Sequence, residues 1–334
     1  GVFVVRVVMS SLLLILALAL SGCAGPYVQS PLVPPERLVS ASMTGDRFLM
    51  PDGAPLPYLH WAPEDGEPWA VIVALHGIND SRAAFRLAGP WWAERGIATY
   101  AYDQRGFGDA PGRGLWAGDL MAQDLGEGVA LVRARHPGAL IAVAGESMGG
   151  AVSITAFASE SPPDADRLIL LAPAVWGWSS QPLLYRMSLS VAAWTFGDVA
   201  LEPPEWAADQ VLATDNLMEL IRSGRDPDQT LTTRFDVLYG LVDLMEDAGQ
   251  GLGQVHVPTL FQYGAHDDLV PDRAVHQALE RADPMPNLRT AFYEDGYHIL
   301  NRDLQAVRGF EDVEAWLRDT RAALPSGAGP IRVP

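Results

Sequence analysis

Cysteine is almost absent from this sequence, and positive charge is scarce. The 334 residues include one cysteine, Cys23, which excludes an intrachain disulfide and a cysteine-ligated zinc or iron–sulfur site. Lysine and arginine number 23 against 41 aspartates and glutamates, for a formal net charge of -18. Because that charge repels phosphate backbones, we expect no nucleic-acid binding. The histidines are scattered without metal-ligand spacing, so no metal site is expected.

The N-terminus has the order of an export signal. Arg6 precedes an unbroken apolar run over residues 11–20, which is short for a membrane span and leads to Leu-Ser-Gly-Cys at Cys23. This ending resembles the lipobox of bacterial lipoproteins, in which the cysteine is acylated and becomes the mature N-terminus. We therefore expect a signal peptide over residues 1–22 and a lipid anchor in the cell envelope. An ordinary secretory signal and an uncleaved anchor remain alternatives.

The destination of such an anchor is indicated by the residue after the cysteine. Ala24 stands where some bacteria use aspartate to retain lipoproteins at the inner membrane. The sequence therefore favours the outer membrane, with the folded domain periplasmic or exposed. Two or more acyl chains hold a protein stably on its membrane, so we expect a membrane contact through this anchor.

The remaining chain predicts a tether followed by alternating strands and helices. Proline-rich residues 23–38 predict a semi-extended tether, and segments 39–50 and 54–62 predict an antiparallel strand pair. Further strands are predicted at 70–75, 97–102, 139–144, 167–172, 258–263 and 288–293, with helices at 81–95, 118–135, 148–159 and 303–323. This alternation predicts an α/β fold with a mostly parallel sheet and helices on both faces.

The alternation is interrupted by residues 174–254. This segment has a helix-forming composition and is dense in large apolar side chains, Trp176, Trp194 and Phe196 among them. We predict a helical cap over 174–254 inserted into a core of residues 39–173 and 255–323, with a tail at 324–334.

A candidate nucleophile lies between a predicted strand and a predicted helix. The apolar run 140–144 leads directly into Gly145-Glu146-Ser147-Met148-Gly149. Gly-x-Ser-x-Gly in this setting is typical of a nucleophile elbow, because the flanking glycines accommodate a crowded turn. The helix N-terminus also offers N–H groups to a developing oxyanion. We predict Ser147 as nucleophile; the alternative is a tight turn with a solvent-exposed serine.

Together with four other segments, this motif resembles the α/β-hydrolase superfamily, and within it the monoacylglycerol lipase and lysophospholipase-like branch. In the family's order these segments are His76-Gly77, Asp103-Gln104-Arg105-Gly106-Phe107-Gly108, residues 264–271 and Gly296-Tyr297-His298. The resemblance spans about residues 40 to 323. It implies the α/β-hydrolase fold and an oxyanion hole made by the backbone N–H groups of Ile78 and Met148.

The remaining catalytic roles follow from what a serine nucleophile requires. A serine hydroxyl needs a base, and the base needs an acid that orients it; in this fold the order is serine, acid, histidine. We predict His298 as the base and Asp267 as the acid, with the adjacent Asp268 as its competitor. His76 is expected to be structural because His298 fills the base position. Arg105 is expected to hold its loop as a solvated charge.

The resemblance implies a serine esterase that hydrolyses carboxylic esters with an acyl chain. The family places a lid above the serine at the position of the cap, and an apolar, aromatic cleft suits an acyl chain. The expected partner is a small-molecule acyl ester; no cofactor and no obligate protein partner are expected. Residues 78–82 depart from the glycine-rich continuation of monoacylglycerol lipases. Substrate preference therefore stays open.

Two other functions remain as alternatives. An aminopeptidase of the same fold would need cap carboxylates to receive the substrate amine. The candidates are Glu202, Glu205, Asp209 and Asp215. The second alternative is a non-catalytic lipoprotein that binds a lipid or an envelope partner.

Overall fold

The computed structural model describes residues 5, 7–11, 25–203 and 211–334. The predicted lipidation site, Cys23, lies outside the described residues, as do Glu205 and Asp209 of the cap. In those ranges, no helix is both long and apolar enough to cross a bilayer.

In the described chain, nine strands form one sheet and two more form a small antiparallel sheet. In chain order the strands are β1 Ser42–Met43, β2 Arg47–Leu49, β3 Pro55–Trp61, β4 Ala70–Leu75, β5 Ile97–Tyr102, β6 Leu140–Glu146, β7 Arg167–Leu171, β8 Ala200–Leu201, β9 Thr233–Arg234, β10 Thr259–Gly264 and β11 Leu288–Tyr293. The sheet order is β1-β2-β3-β5-β4-β6-β7-β10-β11, and β8 pairs with β9. Six neighbouring strands of this sheet run parallel, namely β5, β4, β6, β7, β10 and β11. Strands β1, β2 and β3 pair antiparallel with their neighbours.

Helices cover both faces of this sheet. They are α1 Ala88–Ala93, α2 Leu120–Arg135, α3 Met148–Phe157, α4 Leu183–Phe196, α5 Leu217–Arg225, α6 Phe235–Gly251, α7 Asp272–Ala282 and α8 Ala306–Arg318. One core cluster contains side chains of α2, α3, α6 and α7, and the other contains those of α1 and α8. All six residues of β4 are buried because the strand is covered on both faces. The predicted α/β class with a mostly parallel sheet is confirmed.

Two predicted elements are broken in the structure. The strand predicted at 39–50 is two short strands, β1 and β2, joined by a turn in which the Thr44 N–H donates to the Arg47 carbonyl at 2.9 Å. The helix predicted at 81–95 is a 3₁₀ turn at Arg82–Phe85 followed by α1. Pro90 lacks the N–H that a continuous helix would need there, which explains the break.

Part of the predicted tether lies against the domain. The Gln29 side chain is buried, its Nε2 donates to the Leu115 carbonyl at 2.8 Å, and its backbone N–H donates to the Trp116 carbonyl at 2.8 Å. The Leu32 N–H donates to Asp52 Oδ2 at 2.9 Å. Contact with the folded domain therefore begins ahead of residue 39, through hydrogen bonds that a proline-rich composition does not reveal.

The C-terminal segment also contacts the sheet. Phe292 of β11 forms an antiparallel bridge with Gly329, and the Ile331 N–H donates to Thr290 Oγ1 at 2.9 Å. Leu324 and Ile331 are buried. These contacts cover the outer edge of β11, which would otherwise present unpaired backbone groups.

Within the described residues, the segment between β7 and β10 contains helices and a two-stranded sheet, and part of it packs against the core. In chain order, α4, β8, α5 and β9 come first. Helix α6 packs against α3 and contributes Val242, Met245 and Ala248 to the main core cluster.

Candidate active site

Ser147 lies in the sharp turn between β6 and α3. Its backbone has φ 52° and ψ -115°, a conformation that non-glycine residues rarely adopt. A Cβ on Gly145 would lie 2.4 Å from the Gly149 carbonyl oxygen, and one on Gly149 would lie 2.4 Å from the Leu75 carbonyl oxygen. The turn therefore requires glycine at both positions, as the motif predicts.

Three predicted residues meet in one hydrogen-bonded chain. His298 Nε2 is 2.9 Å from Ser147 Oγ, and His298 Nδ1 is 2.8 Å from Asp267 Oδ2. Asp267 Oδ1 accepts the backbone N–H groups of Leu269 and Val270, both at 2.9 Å. Asp267 thus contacts the Nδ1 side of the imidazole, and Ser147 contacts the Nε2 side.

The competitor carboxylate points elsewhere. Asp267 and His298 are both buried, whereas Asp268 is exposed. The contact with the imidazole therefore falls to Asp267. His266, one residue earlier, stacks on Tyr297 with ring centroids 5.0 Å apart.

His76 holds the loop that precedes Ile78. His76 Nε2 accepts the Gln104 N–H at 3.0 Å, so Nδ1 carries the proton and donates to the Gly77 carbonyl at 2.7 Å. Gln104 Nε2 donates back to the His76 carbonyl at 2.7 Å. Both ring nitrogens are engaged in backbone contacts, which fits the structural role expected for His76.

The two predicted oxyanion donors belong to segments that adjoin Ser147. Met148 is the first residue of α3, where N–H groups have no intrahelical acceptor. Ile78 follows Gly77, at which an added Cβ would lie 3.3 Å from Ser147 Cβ. The loop and the helix N-terminus thus approach the serine side chain closely.

Arg105 is buried, contrary to the expectation of a solvated charge. Its guanidinium contacts both oxygens of Asp52 and both oxygens of Asp124, and all three side chains are buried. Burial alone would raise the pKa of Asp52, but hydrogen bonds from Arg105 and two backbone N–H groups lower it to about 2. Burial dominates at Asp124 and raises its pKa to about 6. Arg105 therefore joins the turn before β3 to helix α2.

Three charged residues beside the site were missed as functional candidates. Asp80, Glu146 and Arg302 are all buried, and Arg302 forms an ion pair with each of the two carboxylates. Two of them stand inside segments that were already singled out, and Arg302 follows His298 by four residues. The signal that the sequence offered for them was a charged residue inside a motif predicted to be buried.

Within the described residues, no group of three or more histidine, cysteine or acidic side chains is arranged to hold a metal ion. What the site does contain is a serine in a strained turn, an imidazole and a carboxylate in sequence, and a helix N-terminus. These are parts that nucleophilic acyl transfer requires. Fold and geometry together define an α/β-hydrolase.

The comparisons with known proteins identify the family. A profile described as serine aminopeptidase, S33 matches residues 66–305, most of the chain. The chain belongs to this family.

Individual relatives and solved structures show which kinds of enzyme this chain resembles. Homo sapiens monoglyceride lipase is 23% identical over 286 residues, covering 84% of this chain and 92% of the relative. Mycolicibacterium smegmatis monoacylglycerol lipase is 22% identical over 291 residues, covering 84% and 99%. A soluble variant of Saccharomyces cerevisiae monoglyceride lipase, in complex with a substrate analog, superposes with a TM-score of 0.66 at 17% identity, covering 89% of this chain and 96% of that one. The predicted α/β-hydrolase, monoacylglycerol lipase-like resemblance is confirmed.

Proposed function

We propose that this protein is a serine esterase of the lipase type, which hydrolyses carboxylic esters that carry an acyl chain, monoacylglycerol- or lysophospholipid-like. The observation that carries the proposal is the chain of hydrogen bonds from Ser147 Oγ through His298 to Asp267 at a strained elbow. The related proteins are named lipases, which supports an ester as the substrate.

The first half of the reaction forms an acyl-enzyme. Ser147 Oγ attacks the ester carbonyl carbon while His298 Nε2 takes the hydroxyl proton, and Asp267 stabilises the imidazolium. The N–H groups of Ile78 and Met148 receive the negative charge that develops on the carbonyl oxygen. The carbon–oxygen bond to the alcohol then breaks, and His298 gives its proton to the leaving alcohol.

The second half releases the acid. His298 takes a proton from a water molecule, whose oxygen attacks the acyl carbon and forms a second tetrahedral intermediate. The bond to Ser147 Oγ breaks, the serine regains its proton from His298, and the carboxylic acid leaves. Every proton passes through His298, so these steps require no cofactor.

The cap helix α4 exposes an apolar stripe that suits a lipid environment. Its residues recur at spacings of one, three or four, which places them on one side of the helix. They are Leu183, Leu184, Met187, Val191 and Trp194, with exposed fractions between 44% and 71%. Leu189 and Ala193 pack inward on the opposite side.

We also propose that the chain is anchored in the bacterial cell envelope through acylated Cys23, in the outer membrane. Gly25, two residues later, lies against Trp194, since an added Cβ would be 3.4 Å from the indole. Gln29 also binds this segment to the domain, so an anchor on Cys23 would hold the domain close to the bilayer.

The esterase proposal is tested with p-nitrophenyl esters from acetate to palmitate, a monoacylglycerol and a lysophospholipid. We expect activity to rise at medium or long chains. Ser147→Ala should lower kcat by about 10⁴-fold or more. Asp267→Asn should lower it roughly 10³- to 10⁴-fold, because the imidazole loses its orienting partner.

Asp268→Asn is the matched control, since it removes an adjacent, exposed carboxylate, and its kcat should stay near wild type. A fluorophosphonate probe should label Ser147. Activity on acetate alone would indicate a small-ester carboxylesterase. An intact fold without labelling would favour the non-catalytic alternative.

The anchor is tested by expressing the full chain in a Gram-negative bacterium and separating its membranes. Wild type should co-sediment with the outer membrane, and mass spectrometry should detect acylated Cys23. Cys23→Ser should move the protein out of the membrane fraction. Membrane retention of that variant would contradict acyl anchoring and indicate an uncleaved apolar anchor.

The aminopeptidase alternative rests on the description of the family. Of its candidate carboxylates, Asp215 accepts the Leu304 N–H at 2.9 Å and Glu202 is exposed. Neither of these two carboxylates forms a hydrogen bond with Ser147 or His298. Aminoacyl p-nitroanilides test this alternative, and a higher kcat/KM on any of them than on the best ester would establish it.

A further inference from the structure

Arg302 is a buried guanidinium at the junction of the site and the cap. Its side chain is 1% exposed. Nη2 donates to Asp80 Oδ2 at 2.8 Å and to Glu146 Oε1 at 2.7 Å, and Nη1 donates to Glu219 Oε1 at 3.1 Å. One planar group thus makes three charge-assisted hydrogen bonds to three carboxylates.

These carboxylates belong to separate elements. Glu146 ends β6 and immediately precedes Ser147. Asp80 lies two residues after Ile78, and Arg302 itself follows His298 in the same loop. Glu219 is not close in sequence to any proposed catalytic residue, because it lies in cap helix α5. Arg302 therefore joins the cap to the segments that carry Ser147, Ile78 and His298.

The cap carboxylate is strongly held in its charged form. Glu219 also contacts Arg86 and Arg222, the latter through Nε at 3.0 Å and Nη2 at 2.8 Å. Burial would raise the pKa of Glu219, but the hydrogen bonds from Arg222 and the charge of Arg302 lower it to about 2. Glu219 is therefore a fixed anion to which the guanidinium of Arg302 is oriented.

The geometry of guanidinium transmits that orientation. Its nitrogens lie in one rigid plane, so a hydrogen bond at Nη1 also fixes the direction of Nη2. Nη2 is the atom shared by Asp80 and Glu146. The position of α5 thereby determines how the elbow and the Ile78 loop are held.

A second set of contacts reaches the same loop from the cap. Gln229 Nε2 donates to Asp80 Oδ1 at 2.5 Å, and the Thr230 N–H donates to the Asn79 carbonyl at 2.9 Å. Asn79 Nδ2 in turn donates to Thr233 Oγ1 at 2.8 Å. Asn79 has a positive φ of 62°, a conformation that needs such support in a non-glycine residue. The loop is thus bound to the cap on more than one side.

We propose that Arg302 is a positioning residue through which the docked cap sets the geometry of the Ser147 elbow and of the Ile78 N–H. The inference rests on the proposed function, because it assigns turnover to Ser147. It adds that the cap acts on the chemical step in addition to covering the substrate.

The test is Glu219→Gln, which keeps the shape of the side chain and removes the charge that orients Arg302. We expect kcat about ten-fold lower with KM within two-fold of wild type, and labelling of Ser147 by a fluorophosphonate slowed in the same proportion. The matched control is Asp236→Asn in α6, which removes another buried cap carboxylate, paired with Arg234 and not with Arg302. Its kcat and labelling rate should stay within two-fold of wild type, although both variants unfold at lower temperature.

A double-mutant cycle with Asp80→Asn supplies the decisive comparison. If both carboxylates act through Arg302, their effects on log kcat are not additive. Unchanged kcat and labelling in Glu219→Gln, with Ser147-dependent ester hydrolysis intact, overturn the coupling but not the esterase. If the wild-type protein is labelled at Ser147 but hydrolyses no ester, the esterase proposal fails. The labelling rates of the variants still test whether Arg302 is a positioning residue. Additive effects overturn the role of Arg302 as the shared link.

Discussion

The protein contains two buried arginines that are similar in chemistry and different in position. Arg105 pairs with Asp52 and Asp124, all within the α/β core. Arg302 pairs with Asp80, Glu146 and Glu219, which bring together the core, the site and the cap. Each arginine has side-chain exposure of 2% or less.

The location of an ion cluster in the fold therefore determines which property of the protein is lost when the cluster is broken. A buried ion pair is weak evidence for net stability, but removal of one partner leaves an uncompensated buried charge. Around Arg105 that cost falls on the packing of a turn against α2. Around Arg302 the same cost falls on the segments that hold Ser147 and the Ile78 loop.

The largest expected effect comes from removing each guanidinium. Arg105→Met and Arg302→Met should each destabilise the fold by about 3–5 kcal/mol, because two buried carboxylates lose their arginine partner in each variant. Denaturant unfolding measures this loss. Active-site titration then gives kcat per folded molecule, which should stay near wild type for Arg105→Met and fall at least ten-fold for Arg302→Met. Equal kcat values would remove the distinction between the clusters.

The residues of the proposed triad were accessible from the sequence because each occupies a local pattern. Ser147 stands in a strand–glycine–helix motif, Asp267 follows the buried strand β10, and His298 follows β11. The strands inside the sheet are rich in apolar residues because both of their faces are covered. Local chemistry and local geometry coincide at these positions.

The ion clusters were not accessible in this way because their partners are remote along the chain. Arg302 and Asp80 are 222 positions apart, and Arg105 and Asp52 are 53 positions apart. An arginine in a loop motif reads as solvated until the fold supplies its carboxylates, which is why the burial of Arg105 was missed. Glu219 lies in the cap, and no periodic pattern in the sequence predicts how the cap packs.

An intermediate effect concerns pH, and it compares one carboxylate from each cluster. The pKa values of Asp52 and Glu219 are both lowered to about 2, against about 4 in an unfolded chain. A lowered carboxyl pKa contributes stability above the unfolded pKa and loses it as pH falls through the folded value. Asp52→Asn and Glu219→Gln should therefore each cost roughly 2–3 kcal/mol at pH 7.

Urea unfolding between pH 7 and pH 3 checks the sign. The difference between wild type and either variant should be full above about pH 5 and should shrink as pH falls toward 2. A difference that stays constant over this range would show that the charge of the carboxylate is not the cause. Of the two variants, only Glu219→Gln should also lower kcat.

The smallest expected effect comes from keeping the positive charge and changing its shape. Lysine offers a compact ammonium that cannot reproduce a planar fork, so Arg105→Lys and Arg302→Lys should each destabilise by about 1–2 kcal/mol. In Arg302→Lys a single nitrogen must replace Nη1 and Nη2, which now reach Glu219 on one side and Asp80 and Glu146 on the other. We expect kcat to fall three- to ten-fold with little change in KM, while Arg105→Lys keeps the wild-type kcat. Full activity in Arg302→Lys would mean that charge neutralisation, without directional hydrogen bonding, is what the site requires from this residue.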